Sequence, residues 1–286
     1  MKRIVALLMV ILTCFSMSGC FYVYYRLNKD QGRPSVFEME EEVIKTRPNF
    51  QLGTCRDLQG QVAVHFFFMN DAVSSWEENS HFLYIKEQVN PALFFLMEQA
   101  DEWGVELSFS IESVQVIDYP GVMPSSPDSS GTGIDPLEVA AEQLGYIDEV
   151  DMMDILSDQG RQEVIPVVVA NKEGSSYVNV AEPHVADGSI LLETLYLFNT
   201  PSGCDDPHEE GGQSSGIVFY ILRIYGAENM FTVADRDRMG RYLYPKDVMY
   251  RKYGDYTDMK IGDFTAYCVG WTQEIPDVCY MPDWWE

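Results

Sequence analysis

The residue types that can act as acids, nucleophiles or metal ligands are scattered along this sequence. There are four histidines, and no two of them stand three or four residues apart, so no helix can present two imidazoles to one metal ion. They are His65, His81, His184 and His208. The acidic segment 200–212 lacks the spacing of an EF-hand loop, and no serine lies in a G-x-S-x-G turn. We therefore expect no bound metal ion and no cofactor.

The N-terminal residues are typical of an exported protein. Lys2 and Arg3 precede a mostly apolar run at residues 4–17, as in the n- and h-regions of a signal peptide. The next residues, Met17-Ser18-Gly19-Cys20, resemble the lipobox of bacterial lipoproteins, in which the cysteine is lipidated and becomes the new N-terminus. This resemblance implies a signal peptide at residues 1–19, a lipid anchor at Cys20, and a location on the outer face of the bacterial cell membrane.

Two other readings of this segment stay open. Residues 4–25 could remain as an uncleaved signal anchor, since this stretch gives about 33 Å of helix, enough to cross a bilayer. Cleavage without lipidation would instead release the protein. Both the lipid anchor and the signal anchor hold the rest of the chain at the membrane.

The charge balance excludes several partners. The chain has 45 acidic and 19 basic residues, a net charge of −26, so it has no basic surface with which to displace phosphate counterions. We expect neither nucleic acid nor anionic lipid headgroups to bind it. Its hydrophobic content of 46% suits a sizeable core. We predict a spacer at residues 20–58 and a single domain at residues 59–286.

Four cysteines remain outside the N-terminal segment, and an even number in an exported domain favours disulfides. They are Cys55, Cys204, Cys268 and Cys279. Three pairings exist for four cysteines. We predict a disulfide between Cys268 and Cys279, which would close a short terminal loop, and a second one between Cys55 and Cys204. No C-x-x-C pair is present, so a structural zinc site is not indicated.

Hydrophobic periodicity predicts an α/β (α+β) fold with a mixed sheet. Strands are predicted at residues 61–69, 105–117 and 164–171, and helices at 76–103, 135–144 and 152–159. The first helix is long and could be interrupted at Pro91. Segment 188–198 reads as a strand, although its spacing would also suit a helix.

Residues 214–230 predict a buried helix that begins at serines and ends at Gly226. Its pattern Phe219-Tyr220-x-x-Arg223-x-x-Gly226-x-x-Asn229 resembles the zinc motif H-E-x-x-H-x-x-G-x-x-(H or D) of metzincin-type metallopeptidases. Downstream, Met249 stands in a segment similar to the methionine-containing turn of that group, and residues 264–272 resemble its closing helix. The order of elements agrees over residues 61–276: strand, long helix, strands, motif helix, turn, closing helix.

The resemblance implies a single metzincin-like domain whose catalytic chemistry is gone. In active members two histidines of the helix bind the zinc, and this chain has Phe219 and Arg223 at those positions. Tyr220 stands at the position of the glutamate base, and Asn229 at that of the third ligand. A phenyl ring has no lone pair, and a guanidinium stays protonated and repels a dication. We therefore expect an inactive peptidase homologue that binds a peptide or an envelope protein. An unrelated structural or binding lipoprotein, and a hydrolase with a non-zinc site, stay open as alternatives.

Overall fold

The computed structural model describes residues 55–126, 134–149, 151–152, 156, 163–179, 193–201, 212–231, 234–252 and 254–280. Five strands are found there: β1 Gly60–Asn70, β2 Leu107–Asp118, β3 Glu163–Gly174, β4 Tyr177–Asn179 and β5 Thr194–Pro201. They form one sheet in the order β2-β1-β3-β5-β4. All neighbouring pairs are parallel except β4 with β5, which is antiparallel. The predicted mixed sheet of an α/β fold is thus confirmed.

Three helices lie between the strands along the chain, and three more come after the last described strand. They are α1 Ser80–Tyr84, α2 Asn90–Glu102, α3 Pro136–Leu144, α4 Gly212–Ile224, α5 Ala234–Leu243 and α6 Asp263–Cys268. A π-helical turn, Ile85–Val89, joins α1 to α2, so the chain is helical from Ser80 to Glu102. Within the described residues no helix is long and apolar enough to span a bilayer.

The long helix differs from its prediction in how it accommodates Pro91. The residue lies in the first turn of α2 and does not break the helix. Proline has no N–H to donate to the preceding turn, and the wider π turn lies directly before it, at the position where the regular hydrogen-bond pattern must change.

The sheet is covered on both faces, which explains why β1 is a continuous apolar run. Val64, Phe66 and Phe68 face a large core shared with α1, α2, α4 and α6. Phe67 and Met69 face a smaller core beneath α3. Strands buried on two sides lose the alternation of polar and apolar residues that half-exposed strands show.

Several predicted elements need adjustment. The 188–198 segment is a strand where the structure describes it, and that strand runs on to Pro201. The sequence reading missed β4 and α5, which are a three-residue edge strand and a helix rich in arginine and aspartate. Most of segments 152–159 and 200–212 lies outside the described residues, as do the predicted signal peptide and Cys20.

Residues assigned to the spacer belong partly to the fold. Cys55 and Leu58 are fully buried. The Leu58 amide donates to the carbonyl of Val269 at 2.9 Å, and the Trp271 indole donates to the Leu58 carbonyl at 2.6 Å. The first described residues are thereby bonded to the segment that follows α6.

The predicted Cys268–Cys279 disulfide is not seen, because these two sulfur atoms are not at bonding distance. Cys268 ends α6 and is buried in the main core, whereas Cys279 lies half-buried in the separate 3₁₀ turn Asp277–Tyr280. The other predicted bridge involves Cys204, which lies outside the described residues. Burial, together with nearby Asp263, raises the pKa of the Cys279 thiol to about 11, which makes it a poor nucleophile at neutral pH.

Candidate functional site

The predicted motif helix is α4, and its first turn is bonded to the sheet and to the long helix. The Gln213 side-chain amide donates to the carbonyl of Asn199, at the end of β5, over 2.8 Å. The Ser214 hydroxyl lies 3.1 Å from the side-chain oxygen of Gln88 in the π turn. Residues of α4 are buried from Gln213 through Leu222, so the helix is central to the fold and its side chains have little freedom.

Gly226 ends the helical turn with a left-handed backbone, φ +92°, that favours glycine. The Ala227 amide donates to the Leu222 carbonyl at 2.9 Å, and the Gly226 amide to the Arg223 carbonyl at 3.0 Å. These bonds satisfy carbonyls at the helix end and reverse the chain. The predicted role of Gly226 as the helix stop is thus explained by its backbone geometry.

The reversed chain returns to the motif positions on α4. Phe231 stacks on Phe219, with ring centroids 5.7 Å apart. Phe219 also meets Tyr220 edge to face at 5.1 Å. The ammonium of Lys252 lies over both rings, 4.7 Å from the centroid of Tyr220 and 5.5 Å from that of Phe219. Two of the predicted positions therefore carry aromatic rings that lie beneath a cation.

Arg223 and Asn229 are engaged by the reversed chain itself. The Arg223 guanidinium donates to the Ala227 carbonyl at 3.2 Å and lies 4.0 Å from the Glu228 carboxylate. The Asn229 side-chain oxygen accepts the Phe231 amide at 3.0 Å. Asn229 therefore stabilises the turn through the same oxygen that a metal ligand would have to offer.

Met249 joins this cluster through the backbone. Its carbonyl accepts the amide of Met230 at 3.1 Å, and its side chain is fully buried. The turn that holds it is stabilised by Asp247, whose carboxylate accepts the Met249 amide at 2.7 Å and the Gly262 amide at 2.8 Å. Burial raises the pKa of Asp247 to about 6, although these amide bonds and Lys260 oppose the shift.

The structure therefore brings the predicted positions together around the turn at 226–231. Phe219 stacks on Phe231 of this turn, and Arg223 donates a hydrogen bond to the Ala227 carbonyl. The Met249 carbonyl accepts the amide of Met230. No family model, curated protein or solved structure matches the chain. The chemistry of the cluster itself is therefore what bears on its function.

A zinc ion does not fit these side chains. Phe219 cannot coordinate, the oxygen of Asn229 is already bonded, and the cations of Arg223 and Lys252 would repel a dication. Across the described ranges, no group of three or more His, Cys, Asp or Glu residues could hold a metal ion. His65 is buried in β1 with its Nδ1 atom 2.8 Å from the Ser113 hydroxyl, as suits a core histidine.

Sequence reasoning missed Lys252 and Phe231, which no short motif marks. It also missed an ion pair at the carboxyl ends of the strands, where the Asp71 carboxylate and the Lys172 ammonium meet at 2.6 Å. Their positions in the sequence could have indicated this pair, because Asp71 directly follows β1 and Lys172 lies near the end of β3. Adjacent parallel strands place such ends side by side.

Proposed function

We propose that this protein is a membrane-tethered, extracytoplasmic pseudo-peptidase that binds a peptide or an envelope protein and does not cleave it. The order of strand, long helix, strands, motif helix, turn and closing helix supports the resemblance on which this rests. The convergence of Phe219, Arg223 and Met249 on one turn supports it further.

The observation that carries the proposal is the Lys252 ammonium lying over the Phe219 and Tyr220 rings. A peptidase of the zinc class needs a dication and a base at these positions to activate water. An ammonium over two aromatic rings can act neither as the dication nor as the base. The motif region can therefore bind a partner but cannot activate water.

The side chains around the turn suit recognition. Phe231 is 38% exposed and the Arg223 side chain 31% exposed, beside the partly exposed Asn229. Aromatic residues and arginine are enriched at protein interfaces and dominate their binding energy. The turn thus offers one apolar, one cationic and one amide contact.

The edge of the sheet gives an extended peptide a second contact. β4 is last in the sheet order and pairs only with β5 among the described strands. Its residues Tyr177, Val178 and Asn179 are partly exposed. An edge strand presents unpaired backbone groups to which a peptide can add as a further strand.

The first test separates binding from catalysis in the full-length protein, purified in detergent. We expect no stoichiometric zinc, no cleavage of a random peptide library, and retention of a subset of its members. Phe231→Ala should weaken retention about tenfold, the effect of losing one well-packed contact. Lys86→Ala, at an exposed position of the π turn, is the matched control and should change nothing.

Zinc bound one to one, with proteolysis lost in Asn229→Ala, would refute the pseudo-peptidase. Proteolysis without zinc would instead favour the non-zinc hydrolase. Absence of any retained peptide would contradict the binding role.

The second test concerns the tether. We expect labelled fatty acid to be incorporated into the wild-type protein and not into Cys20→Ser. If the lipid is the anchor, the mature wild-type protein should begin at Cys20 and carry the mass of the lipid. An unlabelled wild-type protein that keeps residues 4–25 would favour the uncleaved signal anchor.

A further inference from the structure

A small pocket lies where the long helix, the β3–β4 turn, β5 and the flank of α4 meet. Its walls include the polar side chains of Tyr84, Ser176 and Gln213, with Leu197 and Ile217 supplying apolar surface. The space suits about one water molecule. It is too small for a peptide side chain of any length.

The hydroxyl of Tyr84 is a buried polar group in the wall of this pocket. The residue is 5% exposed, and its hydroxyl has no hydrogen-bond partner among the described residues. Burial raises the pKa of Tyr84. The Gln213 side chain lies close enough to the hydroxyl to oppose that shift, but the two groups do not have the geometry of a direct hydrogen bond. A buried hydroxyl is destabilising unless something bonds to it, so native structures usually supply a partner.

The other polar side chains have suitable groups to share. The Ser176 hydroxyl accepts the Phe198 amide at 3.1 Å, which leaves its own proton for donation. The Gln213 amide nitrogen donates to the Asn199 carbonyl at 2.8 Å, which leaves the amide oxygen as an acceptor. A water molecule needs two to four such partners to be held in a buried site.

We infer that this pocket binds one ordered water molecule, which bridges the Tyr84 hydroxyl to Ser176 and Gln213. This water hydrogen-bonds to α1, to the β3–β4 turn and to the first turn of α4. It therefore stabilises the packing of these three elements around the start of the motif helix. The inference depends only on the orphan hydroxyl and the size of the pocket, and is independent of the proposed function.

A crystal structure of the full chain and a stability measurement on Tyr84→Phe test this together. We expect a density peak within hydrogen-bond distance of the Tyr84 and Ser176 hydroxyls. Loss of the bridged hydroxyl should lower the folding equilibrium constant about fivefold in urea unfolding. Tyr242→Phe removes the same group from a residue that is 74% exposed, and should leave the constant unchanged. An empty pocket, or a Tyr84→Phe variant as stable as the wild type or more so, overturns the inference.

Discussion

Asp71, just after β1, and Asp247, in the turn before Met249, both use two carboxylate oxygens to hold backbone amides. Asp71 accepts the amides of Val73, Ser74 and Met123, and Asp247 those of Met249 and Gly262. The Asp71 side chain has little exposed surface, but the residue lies nearer the protein surface than Asp247, which is fully buried. Yet the pKa of Asp71 is lowered to about 2, whereas that of Asp247 is raised to about 6.

The difference comes from the cation that only Asp71 contacts and from the deeper burial of Asp247. Burial raises the pKa of both, and at Asp71 the bonds from Lys172 and from the amides more than reverse it. At Asp247 burial is complete, and its effect exceeds the opposing effects of the amide bonds, the Thr265 side chain and Lys260. The strand-end region is thus stabilised by an ionised carboxylate, while the turn beneath the motif helix holds one that is poorly solvated when charged.

The largest expected effect comes from removing the cation. Lys172→Met leaves the Asp71 carboxylate buried without its partner, so the free energy of unfolding should fall by about 3 kcal/mol. Urea unfolding at neutral pH measures it. The control is Lys246→Met, because its pair with Asp258 is more than half exposed and contributes about 0.5 kcal/mol or less. Equal losses in the two variants would contradict a special role for the cation at Asp71.

The next effect is the pH dependence that Asp247 imposes. Its pKa is about 6 in the folded protein and 3.8 in the unfolded chain, so the folded state holds a proton that the unfolded state releases. Its contribution is full below about pH 4 and is lost as the pH rises through about 6. We expect the unfolding free energy to fall by about 2 to 3 kcal/mol across this window. The measurement is urea unfolding at successive pH values.

Asp247→Asn is the variant that isolates this contribution. An amide does not titrate, so the fall in stability between about pH 4 and pH 6 should disappear in it. The Asp71→Asn variant should retain that fall, because the Asp71 pKa lies below the window. A wild-type protein whose stability is flat from pH 4 to pH 6 would refute the raised pKa.

A smaller effect is expected from crowding the Asp247 carboxylate. A Cβ atom at Gly262 would lie 2.9 Å from the Asp247 oxygen and 2.9 Å from the Tyr244 ring. Both neighbours are held in place, so Gly262→Ala should destabilise the protein by about 1 to 2 kcal/mol. Gly254→Ala would meet only the terminal methyl of Met259 at 2.9 Å, which can move aside. A thermal or urea comparison in which Gly254→Ala is the worse of the two would show that the turn is not tightly packed.

The sequence predicted the strands and helices far better than the contacts between them. Continuous apolar runs and helical periodicity located β1, β3 and the motif helix, because burial on two faces leaves a local pattern. Lys252 over Tyr220 and the Asp71–Lys172 pair depend on residues 32 and 101 positions apart. Such pairings arise from the sheet order and the chain reversals. No local pattern in a single sequence encodes them, and the same holds for the unformed Cys268–Cys279 bridge.

The smallest expected effect concerns one hydrogen bond to Asp71. The Ser74 hydroxyl donates to the Asp71 carboxylate at 2.9 Å and helps to lower its pKa. Ser74→Ala should reduce the unfolding free energy at neutral pH by about 1 kcal/mol or less. It should also change the acid side of the stability profile. The Asp71 contribution is full above about pH 4 and is lost as the pH falls through about 2, since its folded pKa is lowered.

Without the Ser74 hydroxyl, the folded pKa of Asp71 should move up toward 3.8, so the acid loss of stability becomes shallower and ends at a higher pH. The fall assigned to Asp247 between about pH 4 and pH 6 should stay unchanged and serve as an internal reference. Ser80→Ala is the matched control, because that hydroxyl donates to the exposed Glu77 carbonyl, away from either aspartate. If Ser74→Ala and Ser80→Ala give the same acid profile, the low pKa of Asp71 owes nothing to this bond and depends on Lys172 and the amides alone.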